Sequence, residues 1–337
     1  VFDHRHYVPC LKLKAGEVAA LQGLSPKTLA GLTPLIELPS VDWDFEEDAP
    51  RRTLPAHLER CARFLAEAWP FRDRPVFVDV LRYLDGEVGR FLDAASGLLA
   101  VVPVVELPAA PQDLAAARAG QYGVCLRVPL GEVQGEDLGA LFGSALDELQ
   151  LPPAEVDLVL DMGYLDETMA HAYSIALPWV LGSLPHLKAW RTLTLLGTSF
   201  PADLREVSKL GEIPRREWSL WRALTKVPRR PTFGDYAIAH PELLEANPRS
   251  LRSRAAIRYT HDESWVVSRG VRVPRSDLWV TITSAPPLRT NSTISRKMGR
   301  SRLARVEAEW DSTKVSTTLK PCFSAYSSRV LTWALSE

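Results

Sequence analysis

Val76-Phe77-Val78-Asp79-Val80 is a short apolar strand that carries one charge near its C-terminal end. The same form recurs at Pro34-Leu35-Ile36-Glu37-Leu38, Val102-Pro103-Val104-Val105-Glu106, Val124-Cys125-Leu126-Arg127-Val128 and Val156-Asp157-Leu158-Val159-Leu160-Asp161. A charge in a buried strand is costly unless it is paired or used. In parallel α/β folds, that end of each strand faces the ligand site.

Helical segments separate these strands. Over residues 54–69, Leu58, Cys61, Ala62, Leu65 and Trp69 recur at helical spacing. Working outward, further strands are expected at 7–13, 192–200 and 233–238, with helices near 110–119, 136–149, 166–184, 202–210 and 241–246. Strands joined through helices must pair in parallel with right-handed crossovers. Eight such units closing on themselves make an α/β fold of the (β/α)8, TIM-like barrel type. The expected barrel domain covers residues 1–270. Residues 271–337, rich in Ser, Thr and Arg, read as an appended, divergent or poorly ordered C-terminal segment. An open doubly wound sheet is the alternative, weakened for nucleotide binding by the lack of GxGxxG or GxxxxGK[ST].

Strand alternation gives the site its first outline. If Ile36, Leu38, Val78, Val80, Val105, Leu107, Leu126, Val128, Leu158 and Leu160 face the helices, the opposite parity carries Glu37, Asp79, Glu106, Arg127 and Asp161. All five then point into the barrel near its C-terminal mouth, joined by Lys12 or Lys14. A slip of one residue reverses the assignment.

The composition bounds the function class. The chain has 337 residues, 46% of them hydrophobic, and a formal net charge of −1. That balance argues against a protein that coats nucleic acid, though not against a local basic patch. The four cysteines are far apart and make no CxxC pair, which disfavours zinc and points to a reducing cytoplasm. No apolar run reaches the ~18 residues of a membrane-spanning helix.

Several residues are candidates for chemistry. Glu37, Asp79, Glu106 and Asp161 could hold a divalent metal such as Mg or Mn, or split their pKa values into an acid and a base. Arg127 and Lys12 suit an anionic, phosphorylated or nucleotide ligand. The competing reading is a buried salt-bridge layer that fills the barrel. Gly197-Thr198-Ser199-Phe200-Pro201 could cradle a phosphate through Ser199, or form a turn and helix cap. The segment from Pro214 to Trp221 mixes basic and aromatic groups, and reads either as a stacking surface or as a helix with Trp218 and Trp221 packed inward. None of the seven histidines forms an HExxH set.

From Gly197 onward the words become specific. Ile213-Pro214-Arg215-Arg216-Glu217-Trp218, Pro231-Thr232-Phe233-Gly234-Asp235-Tyr236, Ala256-Ile257-Arg258-Tyr259-Thr260 and Trp265-Val266-Val267-Ser268-Arg269-Gly270 resemble the phage-associated beta protein family. Tyr7-Val8-Pro9-Cys10-Leu11-Lys12 and Pro34 to Pro39 look like the opening of the same family. The resemblance spans about residues 7–270. It implies a cytoplasmic protein of phages, satellites and mobile islands, acting in antiphage defence or immunity with a partner encoded nearby. It draws attention to Lys12, Glu37, Asp235, Tyr236, Arg258, Tyr259 and Arg269, and implies no reaction. Asp235 and Arg258 are expected to pair across neighbouring strands or to bind a ligand. Two functions follow as expectations: a protein that binds a partner or ligand at the barrel mouth, or a metal-dependent hydrolase using the interior carboxylates.

Overall fold

A computed structural model of the chain describes residues 2–133, 135, 137–207, 210–242, 254–261 and 263–272. The chain begins with β1 (Tyr7–Lys12), α1 (Ala15–Gln22), α2 (Pro26–Ala30) and β2 (Leu35–Glu37). A small hairpin, β3 (Trp43–Asp44) and β4 (Ala49–Pro50), precedes α3 (Leu54–Ala68). Then follow β5 (Val76–Asp79), α4 (Val88–Ala95), β6 (Val101–Glu106), α5 (Pro111–Arg118), β7 (Val124–Pro129) and α6 (Leu138–Leu149). The order continues with β8 (Val156–Tyr164), α7 (Glu167–Ser183), β9 (Thr192–Thr198), β10 (Leu210–Pro214), α8 (Arg216–Ala223) and β11 (Thr232–Asp235). A hairpin of β12 (Arg254–His261) and β13 (Ser264–Arg272) comes last.

Eight parallel strands close a barrel in the order β1-β11-β9-β8-β7-β6-β5-β2. This is the (β/α)8, TIM-like architecture. The break at Ser25-Pro26 divides the first helical segment: the Ser25 hydroxyl caps α2 by accepting from the Thr28 amide, with Pro26 in its first turn.

Two apolar layers follow from strand parity. Ile36, Leu38, Val78, Val80, Val105, Leu107, Leu126, Val128, Leu158 and Leu160 pack with the helices. Val8, Cys10, Leu35, Phe77, Val102, Val104, Cys125, Val159 and Leu196 fill the barrel interior. The interior is therefore a packed core, with its charged groups confined to the ends. At the N-terminal end, Asp157 is held by Arg191 and by the Thr192 hydroxyl. At the other end lie the charges the sequence singles out.

The structure departs from the sequence expectation between β9 and β11. Among the described residues no helix forms near 202–210; those after Pro201 turn, and Leu210–Pro214 becomes a strand. The cause is a partner strand: β13 pairs with β10 on one side and β12 on the other, all antiparallel. Ile213, Trp265, Val267 and Phe200 then bury a separate small core. The barrel strands thus end at Asp235, and the region up to residue 270 also holds this three-stranded sheet. The expected helix at 241–246 lies mostly, and the C-terminal segment almost wholly, outside the described residues. Among the described residues, no helix is long and apolar enough to cross a membrane.

Candidate functional site

Register brings the interior charges to one level. Lys12 lies beside Glu37, Glu37 beside Asp79, and Glu106 beside Arg127 on adjacent strands. Arg127, fully buried on β7, reaches the middle of the mouth. Its Nη1 donates to Asp79 Oδ2 at 2.8 Å and to Glu37 Oε1 at 3.1 Å. Its Nε and Nη2 both donate to Asp161 Oδ2, at 2.9 and 2.7 Å. Nη2 also donates to the Tyr236 hydroxyl at 2.5 Å, which in turn donates to Asp161 Oδ2 at 2.5 Å. Every nitrogen of the guanidinium is thus engaged by protein.

The electrostatics follow from that enclosure. Burial opposes the Arg127 charge, but the surrounding acids, Asp161 and Glu37 among them, outweigh it and hold the group charged. Burial pushes the Asp79 carboxyl up to about 6, against the pull of Arg127. The Tyr236 phenol is pushed well above its ordinary range by burial, so it stays a neutral donor. Asp79 and Asp161 are further fixed by backbone amides, of Arg82 and Gly163 respectively.

The four acids that the sequence offers to a metal surround a protein cation. Glu37, Asp79 and Asp161 converge on a guanidinium, and Glu106 Oε2 lies 3.9 Å from it. The cation their charges demand is already supplied by Arg127. Among the described residues, no group of three or more His, Cys, Asp or Glu is set to hold a metal ion.

The residues expected to bind substrate are also occupied. Lys12 Nζ donates to the carbonyls of His240 and Pro241 at 3.1 and 2.8 Å, and lies 3.6 Å from Glu37 Oε2. It ties the segment after β11 to the mouth. Ser199 is tied to the start of α8: its hydroxyl contacts Glu217 Oε2 at 2.8 Å and the Pro214 carbonyl at 2.6 Å, and accepts from the Arg216 amide at 3.0 Å. Its amide donates to the same Glu217 oxygen. Asp235 accepts from the Tyr7 hydroxyl at 2.5 Å and from Arg215 Nη2 at 3.3 Å. Arg258 donates to the Ile238 carbonyl and lies over the Phe200 ring. The cation beside Asp235 is therefore Arg215, because α8 threads its start under the barrel strand. The aromatic run around Pro214 to Trp221 is a packed helix: Trp218 and Trp221 stack with centroids 5.1 Å apart against Phe233.

The open part of the mouth lies beside this closed ring. A cleft of about 270 Å³ runs between the ends of β5 and β6. Asp79, Leu81, Arg82, Glu106, Ala109 and Asp113 line it, with Pro108 and Ala110. Arg82 Nη1 donates to Glu106 Oε2 at 2.8 Å, and both side chains are about a third exposed (27% and 30%). Asp79 and Glu106 thus belong to the cleft as well as to the ring. Arg82 escapes a strand-based reading because it sits in the turn after β5.

With this geometry in place, the comparison with known families is decisive on one point. A family model described as Beta protein matches residues 7–286. The chain belongs to the Beta protein family. The match begins at β1 and includes the whole barrel, the Arg127 ring and the small antiparallel sheet, so both clusters lie inside the family's region. No curated protein matches the chain significantly.

Proposed function

We propose that this Beta protein family member acts in antiphage defence or immunity, as a cytoplasmic protein of phage or mobile-element origin, by binding a ligand or partner at the C-terminal mouth of its barrel. The observation that carries the binding part is the cleft of about 270 Å³ at the strand ends, with Arg82 and Glu106 facing solvent beside a fixed ring. Arg127 holds the ring rigid, and the partly exposed pair supplies donors and acceptors to an incoming molecule. The defence setting rests on the family resemblance. The test is phage challenge of cells carrying the chain, alone and with its neighbouring gene. Arg82→Ala and Glu106→Gln should lose protection and capture of the neighbouring product while the protein still folds. Full protection by both variants would sink the reading.

A second reading is acid–base chemistry on a substrate in the same cleft. It is favoured by Asp79, a cleft-lining carboxyl pushed up to about 6 by burial, near the range where one group can both take and give a proton. It requires no metal. Turnover of any substrate by wild type, lost in Asp79→Asn, would establish it over simple binding.

A further inference from the structure

The hairpin of β3 and β4 occupies the loop after β2, on the same rim as the cleft. Since β2 neighbours β5 and β5 neighbours β6, hairpin and cleft are successive stations around the mouth. The hairpin exposes two large aromatics, Trp43 at 43% and Phe45 at 46%. Exposed aromatics held on a turn are characteristic of interaction surfaces. Around them stand Asp42, Asp44, Glu46, Glu47 and Asp48, against Arg51 and Arg52. Asp44 and Asp42 are near those arginines, at 3.5 and 3.6 Å, while Glu46, Glu47 and Asp48 are exposed. In the cleft Asp79 is paired with Arg127 and Glu106 with Arg82, and Asp113 adds a further acid.

We propose that this sector of the mouth receives a basic segment of a partner protein, with an Arg or Lys side chain entering the cleft. The inference rests on the binding reading above and names the chemistry of the partner. A guanidinium or ammonium would meet Glu106 and Asp113, while its aliphatic stem lies along Leu81, Pro108 and Ala109. Neighbouring residues of the segment would pack on Trp43 and Phe45, where a second cation can also face an aromatic ring. The negative field of the rim steers such a segment inward and repels phosphates. A phosphorylated ligand or a nucleic acid, whose binding requires cationic partners, is opposed at the same surface.

The test measures binding of the full chain to short fluorescent peptides of alternating Arg and Leu, with Glu-Leu peptides and a single-stranded thymidine oligonucleotide as rivals. The Arg-Leu peptide should bind best, weaken as salt rises, and lose about tenfold or more in affinity with Trp43→Ala/Phe45→Ala or with Glu106→Gln. Equal binding of the acidic peptide, preference for the oligonucleotide, or unchanged affinity in those variants overturns the proposal. A peptide of residues 289–305, which carries six basic residues of this chain, is the last competitor. If it binds far tighter than the Arg-Leu peptide, the occupant is the chain's own segment and the partner is overturned. Failure of every basic peptide, with protection still lost in the Arg82 and Glu106 variants, removes the basic partner and leaves the binding reading standing. Retained protection in those variants removes both.

Discussion

Arg127 and Asp161 meet through one oxygen: Nε and Nη2 of the guanidinium both close on Asp161 Oδ2, which also accepts the Tyr236 hydroxyl. Three donors on one buried oxygen leave that carboxylate no alternative partner of equal quality. Arg127→Met should therefore cost about 3–5 kcal/mol, the scale for stranding buried charges. Arg127→Lys should recover only part, since an ammonium cannot reproduce the fork. Urea unfolding checks both. The double variant Arg127→Met/Asp161→Asn should lose less than the sum of the two single losses, which identifies their coupling.

Two buried carboxyls should shape the dependence of stability on pH. Asp79 is pushed from 3.8 up to about 6, and Glu217 from 4.5 up to about 7, in both cases chiefly by burial. A carboxyl whose pKa is raised on folding binds more protons in the folded state. Its contribution is complete below its ordinary pKa and is lost as pH rises through the folded value. The midpoint for urea should fall as pH rises through about 6 from Asp79 and through about 7 from Glu217. Glu217→Gln should remove the fall between about pH 6 and about pH 7 and lessen the slope below it. A midpoint that rises steadily from pH 5 to 8 in wild type would contradict these assignments.

Gly123, just before β7, has φ +85°, and a Cβ there would lie 2.4 Å from the Glu155 carbonyl oxygen and 2.6 Å from Arg191 Nη1. The carbonyl is backbone and cannot swing away. Gly123→Ala should destabilise by about 1–3 kcal/mol, from strained φ and displacement of the Arg191 clamp on Asp157. Thermal unfolding should show the drop, while Gly131→Ala, with open space around its Cβ, should leave the melting temperature nearly unchanged.

The Arg82–Glu106 pair separates function from stability. Its partial exposure limits its worth to about 1 kcal/mol or less. Arg82→Ala and Glu106→Gln should therefore keep the urea midpoint close to wild type while losing protection against phage. Loss of fold in either variant would show that the pair supports the ring more than the cleft.

The barrel was legible because β-strand parity has a period of two, and a single charge per strand marks its phase. Glu37, Asp79, Glu106, Arg127 and Asp161 all fall where alternation puts them. What each does there was not legible. Sequence cannot reveal that one long Arg side chain reaches across the barrel to acids on β2, β5 and β8. Tyr236, Arg82, Arg215 and Glu217 lie in turns or at a helix start, where no period reports direction. The partners of Ser199 were hidden for a similar reason: Glu217 is brought under it by the strand β10, formed through pairing with β13 far along the chain.

Arg127 draws its neutralising partners from Glu37 to Tyr236, almost the full run of the barrel. On the ribosome it emerges after Glu37 and Asp79 but before Asp161 and Tyr236, so its full set of partners exists only once the chain has passed β11. A chain cut between β6 and β7 separates it from Glu37 and Asp79 while leaving it Asp161 and Tyr236, so each fragment holds only part of the network. The ring is therefore not divided into halves that are each complete. Splitting it there should yield pieces that become soluble together rather than singly.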